Sequence, residues 1–162
     1  MKKILLILSI LFVSMECFAQ FHVEDGVVYC DLEYLIIGRI QANYFDDMAV
    51  CQHPSGYAFM LLEGDRVLAT VDIGKTKEEA IDGMKKLTEL LTQDVSKRKE
   101  FNLKDMHGKE VRVTVYPGMN NDLKTKARMF SPSSNLGGGI MLTNNLNYFS
   151  RILVKYPTVQ FK

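Results

Sequence analysis

The stretch YAFMLLEGDRVLATVDI, residues 57–73, decides the fold. Tyr57 to Leu62 is an unbroken apolar run, Glu63-Gly64-Asp65 interrupts it, and Val67, Ala69, Val71 and Ile73 then occupy alternate positions. Two short apolar runs joined by a glycine-containing turn predict a β-hairpin. Immediately beyond, Thr76-Lys77-Glu78-Glu79 has the form of a capping box, in which Thr76 accepts from the Glu79 backbone and the Glu79 side chain reaches back. Behind it Ala80, Ile81, Met84, Leu87, Leu90 and Leu91 recur at three- and four-residue spacing, so a helix is expected over 77–95. Gly83 falls beside the apolar face of that helix, where it allows close packing at some cost in helix propensity.

On the N-terminal side, Val28, Cys30, Leu32, Tyr34 and Ile36 alternate with Asp31 and Glu33, which reads as one half-exposed strand over 26–37. Residues 39–56 have no clear period and are expected to form a loop with a short element near 43–49. On the C-terminal side, Lys97-Arg98-Lys99-Glu100 reads as a charged exit from the helix and Asp105-Met106-His107-Gly108 as a turn. Val111, Val113 and Val115 predict a strand ended by Pro117. A short helix over 122–130, a loop from Ser131 to Asn135 and a strand over 140–142 follow. Leu146, Phe149, Ile152, Leu153 and Tyr156 give a last helix stopped by Pro157. The expected class is α+β, an antiparallel sheet of about 4–6 strands with two main helices on one face. No repeat or low-complexity linker divides residues 20–162, so they are expected to form a single domain.

The first nineteen residues have a different character. Lys2 and Lys3 precede an apolar run from Ile4 to Val13, Glu16 interrupts it, and Cys17-Phe18-Ala19 precedes Gln20. The run is about half the roughly 20 apolar residues that a membrane-spanning helix requires. A basic start, a short apolar core and small residues before the cut are the parts of a secretory signal peptide, so Met1 to Ala19 is expected to be removed. The two-lysine start, the Ile/Leu core and the F-A-Q ending resemble signal peptides of Gram-negative bacterial secreted proteins, which implies a periplasmic or secreted product without a membrane anchor. In such an oxidising compartment the two remaining cysteines, Cys30 and Cys51, are expected to form a disulfide.

Charge is unevenly distributed. Residues 20–72 hold nine acidic and two basic side chains, a balance of −7, whereas residues 73–162 hold sixteen basic and nine acidic ones, a balance of +7. The sum is zero, which does not indicate nucleic-acid binding. Packing of one half on the other would neutralise the split locally. The alternative is a basic surface for an anionic partner, a protein or an anionic glycan, built from Lys97, Arg98, Lys99, Arg112, Lys124, Lys126 and Arg128.

Motifs for covalent chemistry are sparse. There is no phosphate loop, dinucleotide fingerprint or nucleophile elbow, and Gly137-Gly138-Gly139 is followed by an apolar run with no lysine beside it. The widely separated His22, His53 and His107 offer no helical or turn-based metal pair, so no cofactor is expected. The leading expectation is therefore an exported binding or structural accessory domain that performs no covalent chemistry. The runner-up is a small secreted hydrolase whose site is assembled from distant residues, with His53, His107 and Asp72 as the candidates.

Overall fold

The computed structural model describes residues 21–24, 27–30, 32–42, 45–117, 126–131, 138–143 and 145–161. The predicted hairpin forms the last two strands of a four-stranded antiparallel meander: β3 (Leu35–Ile40), β4 (Asp47–His53), β5 (Gly56–Glu63) and β6 (Arg66–Gly74) lie side by side in that order. Gly64 closes the β5–β6 turn at φ +60°, a left-handed conformation that costs glycine nothing because it has no Cβ. The unbroken apolar run of β5 follows from burial on both sides of the sheet. Tyr57, Phe59 and Leu61 belong to the main core in front, while Ala58, Met60 and Leu62 join a smaller rear cluster with Ala49 and Cys51.

Helix α1 (Lys77–Thr92) starts at the predicted capping box. The Glu79 N–H donates to Thr76 Oγ1 (3.2 Å), and Glu79 Oε2 accepts from the N–H groups of Thr76 (3.3 Å) and Lys75 (2.8 Å). The helix buries Ala80, Met84, Leu87 and Leu91 against the front of β5 and β6. Its approach is so close that a Cβ on Gly83 would stand 1.9 Å from the Ile73 carbonyl oxygen. Helix α2 (Asn147–Lys155) covers β3 and flanks α1, with Phe149 edge-on to Phe59 at 5.6 Å between centroids. Both helices therefore lie on the front of this sheet.

A second antiparallel meander follows the order β10-β9-β8-β7: β7 (Lys99–Lys104), β8 (Glu110–Tyr116), β9 (Lys126–Phe130) and β10 (Gly139–Leu142). Its inward residues, Val111, Val113, Val115, Ala127, Met129 and Met141, enter the same hydrophobic cluster as the helices. Asp46, just before β4, ties the sheets together: its N–H donates to the Ile140 carbonyl (3.0 Å) and its Oδ2 accepts from Ile140 N–H (2.6 Å). A small third sheet pairs β1 (Phe21–Glu24) antiparallel with β2 (Val27–Cys30), and β2 parallel with β11 (Gln160–Phe161).

The class is α+β as expected, but the strands divide between two four-stranded sheets and a small third one instead of forming a single sheet. The strand expected over 26–37 is two strands, β2 and β3, separated by a bend. Much of the loop expected over 39–56 is β4, whose Met48 to His53 are all buried, so a pattern meant for two packed faces shows no polar alternation. Lys126–Phe130, within the expected helix, is strand β9, and residues 122–125 lie outside the described residues. The charged exit also passes into β7, a strand that sequence reading did not anticipate.

No disulfide joins Cys30 and Cys51. Cys30 lies in the main core, whereas Cys51 sits mid-strand in β4 and points into the rear cluster, on the other side of the sheet. A bridge requires Cα atoms within roughly 7 Å and side chains aimed at each other. Burial pushes the Cys51 thiol up to about 12, which keeps it protonated and unreactive.

Candidate functional site

Of the three residues nominated for hydrolysis, His53 lies within electrostatic reach of both Asp72 and His107. His53 ends β4, is 6% exposed, and accepts the Ser55 N–H at Nδ1 (3.4 Å), which leaves its proton on a buried Nε2 that has no partner. Burial lowers its pKa, the Asp72 carboxylate raises it and His107 lowers it further. They do not, however, meet around a common space. His53 lines a groove between the β4–β5 turn and the start of α1, Asp72 lines one between α1 and β7, and His107 lines a hollow behind β6. Asp72 Oδ1 accepts from the Gly74 N–H (3.0 Å), and among the described residues neither histidine's imidazole ring hydrogen-bonds a carboxylate or a nucleophilic side chain. A general base must stand within hydrogen-bond reach of the group it activates, and this arrangement lacks that contact.

The basic residues separate into two groups. Near the end of α1, Arg98 pairs with Glu100 (3.1 Å) and Lys99 Nζ donates to Gln93 Oε1 (3.1 Å), while Lys97 stands exposed. Strand alternation brings the second group together. Lys126, Arg128 and Phe130 alternate with the buried Ala127 and Met129, so all three face outward from the second sheet. Arg112 stands directly opposite Phe130 on one side and Asn102 on the other. Arg128 stands opposite Thr114 and Ile140. Lys126 lies over the Phe45 ring at 5.5 Å. Lys124 lies outside the described residues.

This outer face has a definite layout. Of its carboxylates, Glu100 stands on the β7 edge strand and Glu110 on β8, two residues from Arg112, whereas Arg128 and Lys126 lie on β9. Phe130 and Ile140 are 37% and 44% exposed among these cations, although large apolar side chains elsewhere in the sheet point into the core. Sequence reading missed Phe130 and Ile140 because it assigned the first to a helix. The discriminating signal was the alternation of Lys126, Arg128 and Phe130 with Ala127 and Met129, which fits a period of two.

Several ion pairs among the described residues join partners within one half of the chain. Arg39 binds Asp47 (2.6 Å) and Asp65 (3.7 Å), and Arg66 binds Glu63 (3.5 Å), all within residues 20–72. Lys86 binds Asp82 (2.6 Å) and Arg98 binds Glu100, both within residues 73–162. None of these pairs crosses between the halves. Comparison of the chain with protein-family models, with curated proteins and with solved structures finds no match.

Proposed function

We propose that the protein is a binding module that performs no covalent chemistry, and that the outer face of the second sheet holds an anionic glycan. The observation that carries this reading is the placement of two guanidinium groups, Arg112 and Arg128, beside exposed Phe130 and Ile140 on one sheet face. Guanidinium is planar and binds carboxylate or sulfate through two parallel hydrogen bonds. The C–H faces of sugar rings pack on an aromatic ring and an aliphatic side chain, so this mixed face suits a charged sugar better than a bare inorganic anion. The formal positive balance of residues 73–162 adds long-range attraction.

Export is part of the same proposal and rests on the sequence of Met1 to Ala19, which lies outside the described residues. A periplasmic or extracellular location would bring the face into contact with surface or matrix polysaccharide.

The test is retention of residues 20–162 on immobilised heparin. The wild-type protein is expected to be retained and to elute with salt, Arg112→Ala/Arg128→Ala to pass through, and Lys97→Ala to behave as wild type. Retention of the double-arginine variant equal to wild type would overturn the assignment of this face.

A further inference from the structure

The tip of the β7–β8 hairpin folds behind β6. The Met106 N–H donates to Thr70 Oγ1 (3.2 Å), and the Met106 side chain packs against the rear cluster. Between this turn and the rear of β5 and β6 lies a cavity of about 370 Å³. That is a size at which proteins hold small organic ligands. Its apolar walls come from Met60, which is fully buried, Val67 and Met106, with the half-buried Tyr34 ring at one side.

Asp105 gives the cavity its chemistry. The residue is 4% exposed and lines the cavity, and its Oδ1 shapes the turn by accepting the N–H groups of His107 (2.9 Å) and Lys109 (2.7 Å). Oδ2 takes no hydrogen bond and no ion pair from any described residue. It is not sealed either, since the only sealed, unpartnered side-chain polar atoms among the described residues are His53 Nε2 and Ser150 Oγ. A carboxylate so deeply withdrawn from water is normally matched by a cation. None of the described lining residues is a lysine or arginine.

The rim has the same sign. Glu33 and Asp65 line the cavity, and Arg39 stands 3.7 Å from the fully exposed Asp65 carboxylate. The potential is felt at Tyr34, whose phenol is raised by burial first and by Cys51, Glu33 and Asp65 in addition. An anion or a purely apolar molecule would leave Asp105 unmatched, whereas a cation with an apolar body satisfies both parts of the cavity.

We propose that this cavity binds a primary amine on a compact apolar body, with the ammonium on Asp105 Oδ2 and the body between Met60, Val67 and Met106. The site is separate from the outer face of the second sheet and does not depend on the glycan reading.

The test is a titration of residues 20–162, labelled at the methionine methyl groups, with 2-phenylethylamine, 2-phenylethanol and 3-phenylpropanoate at one fixed pH above 7. The amine is expected to shift the Met60 and Met106 methyl signals, and both other compounds to bind about tenfold or more weaker, the worth of one charge-assisted hydrogen bond in a buried site. Asp105→Asn keeps the Oδ1 acceptor of the turn and removes the charge, so it should weaken the amine by about tenfold and leave the alcohol unchanged. An alcohol that binds as well as the amine, or an amine that leaves both methyl signals in place, would overturn the proposal. So would a folded Asp105→Asn protein with undiminished amine affinity. Should Asp105→Asn fail to fold, the three-compound comparison on the wild-type protein decides alone.

Discussion

Gln52 treats the backbone of Val159 as if it were a neighbouring strand: its Nε2 donates to the Val159 carbonyl (2.5 Å) and its Oε1 accepts the Val159 N–H (3.0 Å). Both residues are buried, and they are 107 positions apart. The pair is a side-chain link from the first sheet to the segment leading into β11, with the Tyr57 hydroxyl and Thr158 Oγ1 at 3.4 Å beside it.

Replacing Gln52 with leucine keeps the volume and leaves a buried N–H and C=O without partners. Each such group costs about 1–3 kcal/mol, so Gln52→Leu should lower stability by about 2 kcal/mol or more in urea unfolding. Gln52→Glu retains the acceptor and loses the donor, and it should be unfolded more readily than wild type at neutral pH. A Gln52→Leu protein as stable as wild type would show that the C-terminal segment does not depend on this link.

Gly83→Ala separates helix propensity from packing. Alanine is favoured over glycine in a helix interior by about 1 kcal/mol. The new Cβ would nevertheless meet the Ile73 carbonyl oxygen at 1.9 Å, and backbone cannot rotate away as a side chain can. Overpacking of this kind costs about 1–3 kcal/mol, so the variant should be less stable than wild type in the same unfolding assay. A stabilised Gly83→Ala would mean that α1 lies farther from β6.

His53 confers a pH dependence whose sign follows from its environment. Its folded pKa lies below the ordinary value because burial, aided by His107 and opposed by Asp72, disfavours the imidazolium. The unfolded chain therefore takes up the proton first as pH falls. The stability due to neutral His53 is present above the unfolded histidine pKa, about 6.5, and is lost as pH drops through the folded value. Protonation also places a hydrogen on Nδ1, which then cannot accept from Ser55. Thermal melts between pH 7.5 and 5, compared with those of His53→Leu, should show a loss in the wild type that the variant largely lacks. A nuclear magnetic resonance titration should place His53 below the ordinary histidine value.

The thiols supply a test of the core. Cys30 lies in the main core and Cys51 in the rear cluster, on opposite sides of the first sheet, so dithiothreitol should leave the melting temperature of residues 20–162 unchanged. A thiol reagent should modify Cys51 only after denaturant is added, because the group is buried and its pKa is near 12. A melting temperature that falls on reduction would contradict this placement.

The sequence was informative where a residue pattern reports one environment. The hairpin over 57–73, the capped helix, the valine strand and the last helix could all be read because turn chemistry, capping and period agreed with tertiary packing. It was silent where two environments overlap. Asp47 to His53 is a strand whose two buried faces erase the alternation, and Gln52 and His53 add polar groups whose partners lie far along the chain or are missing. Arg112 and Arg128 were legible as basic residues. Their position beside Phe130 and Ile140 depends on strand register, which no local pattern specifies. Asp105 was legible only as part of a turn, because its depth behind β6 comes from the Met106–Thr70 contact.

We propose that the outer face of the second sheet recognises an anionic glycan through Arg112 and Arg128 together with Phe130. This recognition is tested most directly by measuring the affinity of residues 20–162 for a heparin-derived oligosaccharide across a salt series, for wild type, Arg112→Ala/Arg128→Ala and Phe130→Ala. Affinity is expected to fall with salt, with about a hundredfold loss at low salt when both guanidiniums are removed, and a smaller loss for Phe130→Ala with the salt dependence retained. Wild-type and double-arginine proteins with the same affinity and the same salt dependence would contradict the proposal.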